Sequence, residues 1–354
     1  MSTETFPIVK IDRATGQEML PLFLQKGIFS NYKALPTKEE LLDKAKLEMG
    51  VETFTKAQEH NILKSERVYR TKNYIVRNFG NYEVGFGLSF LMNNYNDDQL
   101  DEALGRVSLY KLGHRLASII LAEVYIQGKT TDLVISKEKL LKYLGYSSNE
   151  KQIYKQIDDA MFSLMTLNYF IHEYKTNVSD KIKSKELGWF IYAVKSDHKN
   201  YTLSVNKNYV GCIESVINNE KGVERDFNRG YFTYPTSILP ASKDYSTAAY
   251  LLSNFLIMDS GNAKLNDRNQ KVVAYSVKHL IEVMKIERVS KTKLKKAFLD
   301  ALEEVQIINK TSPTLKDLAR MKSFNLLDQV VHIYLPKEVE HLDSSIKSNL
   351  LGPK

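Results

Sequence analysis

The sequence predicts an α+β protein in which one helix-rich unit occurs twice, behind a smaller N-terminal region of mixed α/β character. Two observations lead there: a repeated pattern and the order of elements around each copy. Residues 136–168 and 276–309 carry the same pattern about 140 residues apart. Ser136, Leu140, Leu141, Leu144 and Tyr146 align with Ser276, Leu280, Ile281, Met284 and Ile286. After one extra residue in the second copy, Ile153, Ile157, Ala160, Met161, Leu164 and Leu167 align with Leu294, Phe298, Ala301, Leu302, Val305 and Ile308. Each copy reads as a short helix, a turn and a longer helix with one apolar stripe.

The elements follow in chain order. Residues 37–49 predict a short helix, with Thr37 as N-cap after Pro36 and acids in the first turn. Residues 67–90 change period and carry Gly80-Asn81 and Gly87, so strands and a hairpin are expected. There Arg67, Arg70, Lys72 and Arg77 alternate with Tyr69, Tyr74 and Phe79. That pattern fits a stacking platform for single strands, or simply a core with a charged outer face. Residues 93–101 read as a polar loop.

The first unit opens with a helix over 109–126 that presents one broad apolar face and is stopped by Gly128. A short strand at 132–135 precedes the first repeat copy. Strands follow at 169–174 and 188–194, joined by a lysine-rich loop at 175–185, with a further strand at 200–205. The second unit follows a charged link at 218–229. It has a helix at 245–258, a strand at 272–275, the second copy, and strands at 306–310 and 330–335 around a basic segment, 311–323. Helix, strand, helix, helix, then strands joined by a basic loop is the order of a winged helix. The expected division is therefore an N-terminal region of unassigned fold (1–103), a first winged-helix domain (104–220), a second (230–340) and a polar tail (341–354).

Composition narrows the function. The 354 residues include 50 Lys and Arg against 42 Asp and Glu, a net charge of +8 that favours a polyanionic partner. A single cysteine, Cys212, leaves no internal disulfide or thiolate-built zinc site, and reads as a small buried hydrophobe. No signal peptide or spanning segment is recognisable, so a cytoplasmic location is expected. The seven histidines are scattered and the paired acids point to different helix faces, so neither a metal, a cofactor nor catalysis is expected. Gly128-Lys129-Thr130 resembles the end of a phosphate-binding loop but lacks its earlier glycine, Glu123 standing there.

The second helix of a helix-turn-helix lies in the major groove with its leading residues toward the bases. In the first copy Ser147 and Glu150 form a capping-box pattern. The face opposite the apolar stripe offers Lys151, Gln152, Tyr154, Lys155 and Gln156, and Asn149 sits at the helix mouth, within reach of a phosphate or a base. Glutamine can pair with adenine, and lysine with guanine or phosphate. In the second copy Ser290 is the expected N-cap. Residues 285–300 hold six basic side chains (Lys285, Arg288, Lys291, Lys293, Lys295, Lys296) against two acids, with Thr292 among them. Lysines at a helix N-terminus oppose the dipole by roughly 0.3–1 kcal/mol each, so folding does not ask for them, whereas a phosphate backbone does. A merely solvated lysine face is the plain alternative. The basic loops add Lys175, Lys181, Lys183 and Lys185 in the first unit, and Lys316, Arg320 and Lys322 in the second.

Residues 104–340 resemble the iteron-binding replication initiators of plasmids. The resemblance is clearest where Tyr231-Phe232-Thr233 precedes a loop and Tyr245-Ser246-Thr247-Ala248-Ala249-Tyr250-Leu251-Leu252 opens a helix. In that family a Tyr-Ser or Tyr-Ala pair is followed by an arginine and Tyr-Glu-Leu-Leu. Here Ala248 or Ala249 stands for the arginine and Leu251 for the glutamate, and the first unit lacks the family's leading motif. The resemblance implies that each winged helix reads one half of a directly repeated DNA site. It implies main base contacts from the second domain, at Lys291, Thr292, Lys293, Lys295 and Lys296, and further contacts at Lys151, Gln152, Lys155 and Gln156. It also implies dimerisation through the first domain, recruitment of the host initiator and replicative helicase, and no enzymatic activity. A transcriptional regulator with tandem winged helices, a nucleic-acid-processing enzyme and a protein-interaction module are the alternative readings.

Overall fold

A computed structural model describes residues 8–12, 34–65, 68–78, 82–88, 93, 95–96, 98–99, 102–103, 111–147, 152–166, 168–173, 183–210, 231–259, 264–265, 270–286 and 290–335. The elements run β1 (Ile8–Asp12), α1 (Lys38–Met49), α2 (Lys56–Ser65), β2 (Val68–Arg70), β3 (Tyr74–Asn78), β4 (Tyr82–Gly87), α3 (Lys111–Gln127), β5 (Leu133–Ser136), α4 (Lys137–Tyr143), α5 (Gln152–Thr166), β6 (Asn168–Glu173), β7 (Lys183–Trp189), β8 (Ile191–Ser196) and β9 (Asn200–Val205). They continue β10 (Tyr231–Pro235), α6 (Ile238–Ala241), α7 (Thr247–Asp259), β11 (Lys264–Leu265), β12 (Lys271–Ser276), α8 (Val277–Val283), α9 (Lys291–Glu304), β13 (Lys310–Ser312), α10 (Leu315–Arg320), α11 (Ser323–Leu327) and β14 (Val330–Tyr334). The described residues form a mixture of α and β with four small antiparallel sheets. No helix among the described residues is long and apolar enough to cross a membrane.

Two large cores organise the described residues, beside a small cluster of Leu63, Tyr69 and Val76. The first surrounds α3, whose residues from Gly113 to Val124 are all buried. The sequence predicts one broad apolar face there, yet the helix is enclosed on every side. It touches α5, β5 and β1. A helix so enclosed must satisfy its buried polar groups internally. Glu123 does so by pairing with Lys139 at 2.6 Å and accepting from Gln127 Nε2 at 2.8 Å. Each fully buried Leu116, Ile119 or Ile120 contributes about 1.5–3 kcal/mol by leaving water. The second core gathers Tyr250, Leu252 and Leu256 of α7 with Leu280, Phe298, Leu302, Val331 and Ile333.

The N-terminal strands are less separate than expected. β2, β3 and β4 occur where residues 67–90 predict strands, but they continue into β6 and β7 as one five-stranded sheet. β1 pairs with β10, more than 200 positions later in the chain. The sheets thus cross the boundary that the sequence suggests at residue 103. α1 begins at the expected place: Thr37 and Glu40 form a reciprocal capping box.

The stretch 188–194 is not one strand. Its first half ends β7 in the five-stranded sheet, and after Phe190 its second half begins β8 in the sheet β5-β9-β8. Gly188 (φ 75°) and the fully buried Phe190 mark this exchange between sheets. The hairpin beside the first repeat copy is therefore β8–β9, not the lysine-rich connection of β6 and β7. In the second unit the strand expected at 306–310 is β13, at Lys310–Ser312. The expected basic loop contains two short helices, α10 and α11, the first opened by a Thr314–Asp317 capping box. Cys212, the link 218–229 and the tail 341–354 fall outside the described residues.

Candidate nucleic-acid interface

The two copies agree down to backbone angles. Ser136 caps α4 with φ −67° and ψ 142°, and Ser276 caps α8 with φ −67° and ψ 143°. Each hydroxyl accepts the backbone N–H three residues on, at 3.1 Å from Lys139 and 3.2 Å from His279. Strand and helix are joined in the same way, by Lys137 N–H to Lys199 O (2.8 Å) and Val277 N–H to Gln329 O (2.9 Å). Both short helices then end in a Schellman turn. In the first, Gly145 N–H donates to Lys142 O and Tyr146 N–H to Leu141 O; in the second, Lys285 N–H donates to Glu282 O and Ile286 N–H to Ile281 O. Gly145 (φ 68°) and Lys285 (φ 54°) hold the left-handed position.

The longer helices bury the stripe that the repeat predicts. In α5 Ile153, Ile157, Ala160, Met161 and Leu164 are buried. In α9 Phe298, Ala301 and Leu302 are buried, Val305 follows them into the core, and Leu294 is half-buried. Tyr201 donates to Asp158 at 2.6 Å and so ties α5 to β9; burial and that carboxylate push its own hydroxyl well above the usual tyrosine value.

The predicted contact residues separate into three groups. Gln152, Lys155 and Gln156 on α5 are exposed, as are Lys291, Thr292, Lys293 and Lys296 on α9. Ser290 caps α9, accepting Lys293 N–H at 3.4 Å, and its first turn holds no acid. Two predictions change. Tyr154 is half-buried against the first core with Lys137 Nζ 5.9 Å from its ring centre, so it supports the helix rather than facing outward. Lys295 is half-buried and its ammonium donates to Ala319 O (2.6 Å) and Met321 O (2.5 Å), binding α9 to the end of α10. Its charge faces the negative end of that helix. Asn149, Lys151, Lys175, Lys181, Arg288 and the Ser147–Glu150 capping box involve positions outside the described residues.

The wing residues also move. Lys183 and Lys185 belong to strand β7, opposite Glu173 and Ile171, not to a loop. Lys316, Arg320 and Lys322 are exposed on and around α10, which rests on α9. The sequence reading missed the tip of β8–β9. There Asp197 accepts Lys199 N–H (2.6 Å) and Asn200 N–H (2.7 Å), leaving Lys195, His198 and Lys199 exposed beside the start of α4. Those backbone bonds hold the Asp197 carboxyl below its ordinary value. The run Asp197-His198-Lys199-Asn200 carries that turn signal openly.

Of the possible single-strand platform at 67–79, Arg67 lies outside the described residues, and the described aromatics pack into a small cluster. Tyr69 is buried with Leu63 and Val76, Tyr74 packs against them, and Arg70 Nε donates to Leu35 O at 2.9 Å. Phe79 lies outside the described residues.

No family model matches the chain, and no curated protein matches it. Among solved structures, the crystal structure of selenomethionine derivatives of domains 2 and 3 of RctB aligns with a TM-score of 0.36 and 10% identity, over 68% of this chain and 77% of that one.

Proposed function

We propose that this protein binds double-stranded DNA sequence-specifically through two winged-helix units, and that it serves as a replication initiator of a plasmid or similar mobile element. The observation that supports this reading is the duplicated cap, Schellman turn and second helix, each copy turning an apolar stripe inward and polar or cationic leading residues outward. A lysine-led helix start without acids is costly for folding and favourable beside phosphates. In this role the protein acts without catalysis, binds direct repeats at an origin, and recruits the host initiator and replicative helicase; the first unit serves dimerisation.

Footprinting on the DNA flanking its own gene tests the proposal. Protection of head-to-tail repeats is expected. An inverted repeat at a promoter would favour the regulator. Nicking of supercoiled DNA in magnesium would favour an enzyme, and an affinity indifferent to salt would remove DNA from the account.

A further inference from the structure

Residues 238–246, which lead from the first core into α7, touch the supports of both long helices. At one end the segment rests on the turn of the first copy. Pro240 approaches Gly145 so closely that a Cβ there would lie 2.9 Å from its carbonyl oxygen. Lys243 Nζ sits 4.2 Å over the Tyr146 ring, and Arg115 Nη2 joins Leu144 O at the end of α4 (2.8 Å) to Leu239 O in α6 (2.6 Å). In the middle, Lys111 Nζ donates to Lys243 O and Tyr245 O, both at 2.7 Å. At the far end Tyr245 OH accepts Gln306 N–H (2.9 Å), and Ser246 N–H donates to Glu304, the last residue of α9, at 2.7 Å. The seam is closed by His114 Nδ1 and Tyr250 OH, 2.6 Å apart, joining α3 to α7.

We propose that residues 238–246 are a fixed bridge that sets the separation and orientation of α5 and α9, so that Lys111, His114, Arg115 and Tyr250 are positioning residues that decide which half-site spacing the protein accepts. This rests on the DNA-binding reading. A flexible link would carry exposed, polar, locally unpaired backbone. Here Leu239 is fully buried, Ile238 nearly so, and carbonyls along the segment are held by cations from α3. Truncating a donor leaves those carbonyls unpaired, which loosens the junction while both cores stay whole.

Two measurements test it. Spin labels at Glu138→Cys on α4 and Glu282→Cys on α8, in a Cys212→Ser background, report the separation without any DNA. The intact seam should give one narrow distance distribution. Lys111→Met with Tyr250→Phe should widen it at least twofold, and Lys111→Arg alone should keep it narrow. The same proteins are then titrated with duplexes selected from a random library, with and without an insertion of about five base pairs, half a helical turn, between the half-sites. The native chain should lose at least tenfold in affinity on insertion, and the double variant much less. A broad native distribution, or a double variant as narrow and as spacing-selective as the native chain, overturns the bridge. A narrow native distribution with no duplex selected overturns the DNA reading and leaves the rigid junction standing.

Discussion

Gly145 and Lys285 occupy the same place in the two copies, and the difference between them is measurable. Both sit at the left-handed residue of a Schellman turn, where a Cβ is unfavourable by roughly 1–2 kcal/mol. Gly145 has a second reason to lack a side chain, the Pro240 carbonyl. Gly145→Ala should therefore destabilise the protein by about 1–3 kcal/mol, and Lys285→Gly should stabilise it by about 0.5–1 kcal/mol. Urea midpoints of the two variants check both signs. His114 gives a second residue-scale prediction. Burial holds its pKa down to about 3, so the ring is neutral and shares a hydrogen bond with the Tyr250 hydroxyl, which burial keeps protonated. The unfolded chain takes up this proton near pH 6.5 and the folded chain does not, so the unfolded state binds more protons between pH 6.5 and about 3. Stability is full above that window and falls on acidification through it, by up to about 1.4 kcal/mol per pH unit. Denaturation at pH 6.5 and pH 5 should show this slope, and His114→Leu should flatten it, since the carboxylates contribute mainly below that interval.

Helix α9 shows how two lysines two positions apart do different work. Lys293 is exposed in the first turn; Lys295 is bound to the carbonyls that end α10. Lys293→Ala should weaken DNA binding across all sequences and reduce the salt slope by about 1, with melting unchanged. Lys295→Met should lower the melting temperature first, because two carbonyls lose a charged donor. Reversed outcomes would mean that α9 does not face the groove as argued. The apolar stripes of α5 and α9, the serine caps and the strand before each short helix were legible, because spacing and caps are local and act within a few residues. What a strand pairs with is not local. Nothing in Gly188-Trp189-Phe190-Ile191 announces that the chain leaves one sheet for another, and β6–β7 therefore read as a wing. The anchoring of Lys295 by a segment 24–26 residues away was equally hidden. The Thr314–Asp317 box is a local signal masked by the expectation of a plain basic segment, and the Asp197 turn is one overlooked because the wing was placed at 175–185.

At the scale of the molecule, the two cores, the shared sheets and the bridge at 238–246 make one body out of two units. Two linked modules that engage together raise affinity by roughly 10²–10⁴ over one, without any additional interaction, provided their geometry matches the site. Removing the charges of a single copy should therefore forfeit that gain together with the copy's own contacts. The triple change Lys291→Ala, Lys293→Ala, Lys296→Ala leaves the α9 stripe, the Ser290 cap and Lys295 in place. It should reduce affinity for the selected duplex by about 10²–10⁴ in anisotropy titrations. Its salt slope should fall by roughly 0.9 for each phosphate that the variant no longer neutralises. The matching change on α5, Gln152→Ala with Gln156→Ala, removes hydrogen-bonding groups and no charge. It should relax base preference by about 1–3 kcal/mol at the positions read while leaving the salt slope as it was. If the lysine variant lowers affinity with an unchanged slope, α9 does not meet the phosphate backbone, and its cationic start belongs to some other surface.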